Sequence, residues 1–117
     1  MAKHDSNPKL IDGFYLLAFG LCAPGDEKCD RTPPDQREVA VCKRWLRRHA
    51  APQEKINHRT NSYGLKHLVE IERCVRGGDY YVSNGSLIAA AIALGYRPKR
   101  IGDSPNAAFN MRLVIES

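Results

Sequence analysis

Residues 83–95 read Ser83-Asn84-Gly85-Ser86-Leu87-Ile88-Ala89-Ala90-Ala91-Ile92-Ala93-Leu94-Gly95, and the reading of the whole chain turns on them. Ser83 or Asn84 can accept from the free N–H groups of a first helical turn, and Gly95 supplies the residue on which helices commonly end. Between them Leu87, Ile88, three alanines, Ile92 and Leu94 leave almost no polar face. The pattern predicts a helix buried nearly all round, at the centre of the fold.

Working back toward the N-terminus, Asn61 or Ser62 opens a helix that ends at Gly77-Gly78, with Leu65, Leu68, Ile71 and Val75 toward the core and Lys66, Glu70 and Arg73 outward. A polar connection, Gln53 to Asn61, precedes it. The best-signed helix of the chain comes before that: Thr32 as N-cap, Pro33 in the first turn, Asp35 favouring the dipole, and Pro52 stopping it near Ala51. Val39, Cys42, Trp45, Leu46 and His49 share one side of it, and Arg37, Lys43, Arg44, Arg47 and Arg48 the other. Ala23 to Pro34 reads as a surface loop. A first helix starts at Pro8, capped by Asn7 or Ser6, and carries Leu10, Ile11, Phe14, Leu17 and Leu21.

Toward the C-terminus, Ser104-Pro105 caps a last short helix, Asn106 to Met111, and Leu113 to Ile115 is a terminal strand that can pair with Tyr80 to Val82. The expected fold is therefore mainly α: a single-domain bundle over residues 1–117 with four to five helices and at most a short two-stranded β element.

Composition sets the outer limits. A chain of 117 residues, 43% hydrophobic and 26% charged, buries one real core and has no room for a second domain. It excludes a disordered tail, a collagen-like repeat and a coiled coil. The longest apolar run, Phe14 to Ala23, is ten residues, about half of what spans a membrane core. Asp5 and Asp12 interrupt Lys3 and Lys9, and Ala23-Pro24 is a poor cleavage site, so the expected location is the cytosol, with four thiols.

The net charge is +5, and it is unevenly placed: residues 35–59 carry +4 and residues 97–117 carry +2. One reading of the basic helix face is a solvated surface. The sharper reading is a phosphate-binding surface, because clustered cations favour polyanions by releasing their counterions. Its expected contacts are Lys43, Arg44, Arg47 and Arg48, then Arg59 and Lys66, then Arg97, Lys99 and Arg100.

Other motifs are weighed against simpler roles. Cys22 and Cys29 are seven apart, as are Cys42 and His49, but seven helical residues put the second pair about 10 Å apart along the axis, too far for one zinc. No metal or cofactor is expected; a disulfide between Cys22 and Cys29 is the lesser alternative to free thiols. Asn57-His58-Arg59-Thr60-Asn61-Ser62-Tyr63 leads into a helix N-terminus and can hold an anion there or simply cap it. His67 with Glu70 one turn on has the spacing of a general base, but no nucleophile or oxyanion device accompanies it, so no enzymatic activity is expected. Capping accounts for Asn84; Asn110 is free for a partner or for the polar run.

Ala91-Ile92-Ala93-Leu94-Gly95-Tyr96-Arg97-Pro98-Lys99-Arg100-Ile101 resembles the heart of a helix-turn-helix, with a small residue and a glycine four apart and an isoleucine six beyond the glycine. The resemblance implies a DNA-reading helix starting near Pro98, which Gly102-Asp103-Ser104-Pro105 would cut to about one turn. Ser62-Tyr63-Gly64-Leu65-Lys66-His67 and Tyr81-Val82-Ser83-Asn84-Gly85, with the Ile/Ala helix after them, resemble small uncharacterised proteins of bacterial plasmids and phages. That likeness covers roughly the C-terminal half and implies a mobile-element context without an activity. The leading expectation is a small non-enzymatic protein that binds nucleic acid through phosphates. The alternative is an inhibitor or adaptor, in the manner of anti-CRISPR proteins, that covers an acidic host protein or ribonucleoprotein surface.

Overall fold

In a computed structural model, which describes residues 10–26, 28–77 and 81–114, the chain turns back on itself at Asp12-Gly13. Both residues take positive φ, 53° and 85°, as a tight two-residue hairpin turn requires. The result is a three-stranded antiparallel meander, β1 (Leu10–Ile11), β2 (Phe14–Leu17) and β3 (Gly20–Cys22), where a first helix was expected. The Asp-Gly pair breaks the helical spacing of Leu10, Ile11, Phe14 and Leu17, and those residues are divided between strands instead.

The basic helix exists as α1 (Gln36–His49). It starts later than expected because Asp35, not Thr32, is its N-cap, accepting from the N–H groups of Arg37 and Glu38. Pro34 holds Pro33 out of the α region, so the first turn cannot include it. The core side is as read: Val39, Cys42, Trp45 and Leu46 are buried.

The polar connection is not a loop. Ala50–Asn61 forms β4, a twelve-residue strand that pairs antiparallel with β6 (Ala107–Leu113), and β5 (Pro98–Arg100) pairs with the other edge of β6. Two register shifts, between Pro52 and Asn57 and between Asn57 and Asn61, absorb its polar residues. The last helix expected at 106–111 is this central strand. Ala107, Ala108, Phe109 and Met111 are all fully buried, so burial overrides the helix propensity of the alanines. Pro98–Arg100 being a strand, no second helix follows the glycine, and the helix-turn-helix geometry is absent there. Leu113 does end in a strand, but against β4; Tyr80 and Ile115 lie outside the described residues.

α2 (Ser62–Val75) and α3 (Asn84–Ala93) complete the fold. Their N-caps are Asn61, which accepts from Gly64 N–H, and Ser83, which accepts from Ser86 N–H. α3 is the centre, as its composition demands: it packs against α1, α2, β2, β3 and β5. α2 departs from expectation in its facing. Leu65, Val69, Lys66 and Glu70 are buried, while Leu68, Ile71 and Val75 are 40, 60 and 82% exposed. The fold among the described residues is thus α+β, with three helices and two three-stranded antiparallel sheets, and not a helical bundle. No helix among these residues is long and apolar enough to cross a membrane.

Candidate functional site

Two arrangements bring polar and charged side chains together. The first is a groove of about 270 Å³ between α1 and α2, where Arg44, Arg48, Arg73 and Arg76 meet around Val41, Trp45 and Val69. Arg44 and Arg48 lie one turn apart on α1, and Arg73 lies in the last turn of α2 with Arg76 at its C-cap. Glu72 is the groove's one carboxylate; it pairs with Arg48, with His49 at 3.2 Å and with Arg76 at 3.9 Å. Burial by itself raises the Glu72 carboxyl, but the hydrogen bonds and charges of Arg48 and His49 outweigh it and hold its pKa below the usual range. Four guanidinium groups against one carboxylate leave the groove electropositive.

The other expected cations are elsewhere. Arg47 and Arg59 are exposed and Lys43 is half-buried. Arg97 donates to Glu54 O and, with Lys99, lines a separate cleft beside Ile11 and Ile56. Arg100 lies 4.6 Å from the Phe14 ring and donates to Ser104 O and Asp103 O, so it is tied to its own loop. The clusters at 43–48 and 97–100 thus line different clefts. Lys66, expected at the surface, is buried.

The second arrangement forms where the N-termini of α2 and α3 meet the β2–β3 turn and the loop before β6. Gly85 N–H donates to Ala18 O at 2.7 Å, and Leu21 N–H to Pro105 O at 2.9 Å, which binds the turn between the helix and the loop. Glu38 reaches across from α1 to fix the start of α3, accepting from Ser83 N–H and Ser86 Oγ at 2.9 Å each. Asn84 is held at the junction: its Nδ2 donates to Phe19 O, Pro105 O and Asn106 Oδ1 at 2.9, 3.3 and 3.0 Å. Two of those partners are backbone carbonyls, so the orientation of the amide is fixed. Asn84 Oδ1 is left without a partner, the one buried side-chain polar atom in that condition among the described residues.

Around this junction Phe19, Tyr63, Lys66, Tyr81, Asn84, Pro105 and Asn106 line a cleft of about 510 Å³. Lys66 Nζ bonds Glu70 Oε2 at 2.7 Å and sits 4.9 Å from the Tyr81 ring centroid and 5.5 Å from that of Tyr63. Glu70 also accepts from Val82 N–H at 3.2 Å, and its Oε1 meets His67 Nδ1 at 3.1 Å. Burial pushes the Glu70 carboxyl up, but the bonds from Lys66, Val82 and His67 and the Lys66 charge more than offset it, so the group stays ionised well into acid. The His67–Glu70 pair therefore exists, yet His67 is half-exposed and does not line the cleft.

Cys22 and Cys29 form a disulfide, where free thiols were expected, with Asp26 beside them. A disulfide leaves no thiolates there for a metal. Cys42 is fully buried, and the His49 ring lies 4.6 Å from that of Trp45 at a tilt of 43°. Asn110, expected to contact a partner or the polar run at 57–63, instead accepts from Arg97 N–H and donates to Gln53 O. Sequence reasoning gave no site role to Arg76, Phe19 or Tyr81, although Tyr81 was part of the stretch that carried the resemblance. Arg73 and Arg76 at i, i+3 carried a signal of a shared face; nothing local in Phe19 indicated that it would meet Tyr63, forty-four positions away. Family models, curated proteins and solved structures give no match to this chain.

Proposed function

We propose that this is a non-enzymatic protein that binds nucleic acid through its phosphates, with the α1–α2 groove as the contact surface. The observation that carries the reading is the meeting of Arg44, Arg48, Arg73 and Arg76 with Glu72 as the one opposing charge. Guanidinium groups suit phosphate because each offers a planar fork of donors. Arg47 and Lys43 on the same helix extend the positive field beyond the groove. The resemblance to plasmid- and phage-borne proteins gives this activity a mobile-element context, and the cytosol as its place. There the Cys22–Cys29 bond would stand against a reducing pool.

Titration of a labelled duplex and a labelled single strand at about 50 and 200 mM salt tests the reading. With three or four phosphates engaged, log affinity falls against log salt with a slope of about −3, and Arg44→Glu with Arg73→Glu removes binding uniformly across sequences. Absence of binding at low salt, or affinity indifferent to salt, overturns it.

One observation favours a second reading. Leu68, Ile71 and Val75 present an exposed apolar stripe on α2, which suits a protein partner better than a polyanion. An inhibitor or adaptor of a host protein, in the anti-CRISPR manner, would bury that stripe with the arginines at its edge. Recovery of one defined host protein after nuclease treatment, lost in Ile71→Asp, supports this reading; recovery unaffected by Ile71→Asp argues against it.

A further inference from the structure

The cleft between α2, α3 and the β2–β3 turn has no part in the phosphate reading, and its chemistry is different. Charge is nearly balanced there, because Glu70 neutralises Lys66 at 2.7 Å; a bare anion gains little from it. Three aromatic side chains are exposed where they line it: Phe19 by 39%, Tyr63 by 49% and Tyr81 by 56%. The inner wall is polar. Asn84 is 6% exposed and keeps an acceptor, Oδ1, with no partner. Lys66 is 7% exposed, and only Glu70 accepts from its ammonium among the described residues, so two of its N–H donors have no hydrogen-bond acceptor there. Asn106 accepts from Asn84 through Oδ1, and its Nδ2 likewise makes no hydrogen bond among the described residues.

A ligand that satisfies this cleft needs a flat π-face for the rings and, on one edge, an N–H donor beside an acceptor. A hydrocarbon ligand would leave Asn84 and Lys66 unsatisfied, a polar aliphatic one would leave the exposed rings uncovered, and a phosphate would meet Glu70. We propose that the cleft binds a nucleobase, edge toward Asn84, Lys66 and Asn106 and ring against the aromatic side chains. Single bases are recognised elsewhere by this combination of stacking on aromatic faces and hydrogen bonds to an exposed edge. The base comes either from a free nucleoside or nucleotide or from an unstacked position of a single strand. The strand source fits the layout of α2, since Lys66 in its first turns and Arg76 at its C-cap are ten residues apart, about 15 Å along the axis. The free-nucleoside source needs no arginine groove at all.

Saturation-transfer NMR and calorimetry with adenosine, cytidine, guanosine and uridine, and with a seven-nucleotide single strand of mixed sequence, distinguish the sources. Binding of a nucleoside that weakens about tenfold in Tyr81→Ala and in Tyr63→Ala, and is kept in Tyr81→Phe, supports the free-base source. Binding of the strand alone with the same variant pattern supports the strand source. Both tyrosines are about half exposed, so the variants are expected to fold, and their unfolding midpoints verify this. The Arg44→Glu, Arg73→Glu variant separates this site from the phosphate surface: it leaves uncharged nucleosides bound while abolishing salt-dependent duplex binding. The proposal is overturned if neither probe binds, if Tyr81→Ala and Tyr63→Ala bind as the parent does, or if an abasic strand binds as tightly as the natural one.

Discussion

Gly85 in the first turn of α3 rests directly on the carbonyl of Leu17: a Cβ built at Gly85 would overlap that oxygen. The neighbouring hydrogen bond, Gly85 N–H to Ala18 O at 2.7 Å, fixes the same approach. Backbone against backbone cannot yield by changing a rotamer. Gly85→Ala is therefore expected to destabilise the protein by about 3 kcal/mol, read as a lower denaturation midpoint. Gly64→Ala is the control: its Cβ would meet only Asn61 Oδ1 at 3.8 Å, and the exchange gains about 0.5–1 kcal/mol in a helix. Equal effects at the two glycines would refute the tight seating of α3.

The Lys66–Glu70 pair makes stability depend on acid. Glu70 is held below its ordinary carboxyl range when folded, so its contribution is present above the unfolded value of about 4.3 and is lost as pH falls through the depressed folded value. Glu72, lowered by Arg48 and His49, acts in the same direction. Glu70→Gln flattens the acid side of the stability profile, where pH falls from about 4.3 through the depressed folded value. Lys66→Met leaves a buried carboxylate without its cation and costs about 3 kcal/mol at neutral pH. A profile unchanged by Glu70→Gln would show that the pair contributes nothing.

The Cys22–Cys29 bond closes a short loop, seven positions apart, and anchors the end of β3 to the segment leading into α1. Its reduction is expected to lower stability by about 2–3 kcal/mol through the freedom returned to the unfolded chain. Guanidinium titrations with and without a phosphine reductant measure this, and Cys22→Ala with Cys29→Ala should match the reduced parent.

The two remaining cysteines separate by reactivity. Cys74 is exposed; Cys42 is fully buried, and burial, aided by the nearby Glu38 charge, pushes its thiol up to about 12. A native protein treated with a thiol-reactive disulfide reagent releases one equivalent quickly, and Cys74→Ser abolishes that signal. Two fast equivalents would mean that Cys42 is reachable.

What could be read in advance was whatever local chemistry decides alone. The buried helix at 84–93 followed from having no polar face, α1 from its amphipathic spacing though not from its cap, and α2 from its Asn61 cap though not from its facing. What could not be read depended on distant partners. Leu10 to Leu21 satisfy a helical count as well as a strand count, and the Asp12-Gly13 turn settles the matter. The polar segment 53–61 becomes a strand because β6 offers it a ladder, and Ala107-Ala108 becomes one because it lies between two others. On α2, hydrophobicity pointed Leu68, Ile71 and Val75 inward. The buried side instead includes Lys66 and Glu70 beside Leu65 and Val69, with one hydrogen bond joining the two charges. Half of the arginine groove was legible as Arg44 and Arg48; the aromatic cleft was not, because its lining comes from four separate segments.

Asn84 fastens residue 19 to residues 105 and 106 through a single amide. Synthesis proceeds from the N-terminus, so the β1–β3 meander is made before α3 and the loop after β5, on which Gly85, Asn84 and Pro105 seat its turn. A chain arrested before Pro105 therefore lacks both the carbonyl that Leu21 N–H needs and the strand that β4 pairs with. Both the meander and β4 are completed only by the segment after β5, and a nascent chain exposes unpaired strand edges until that segment is made.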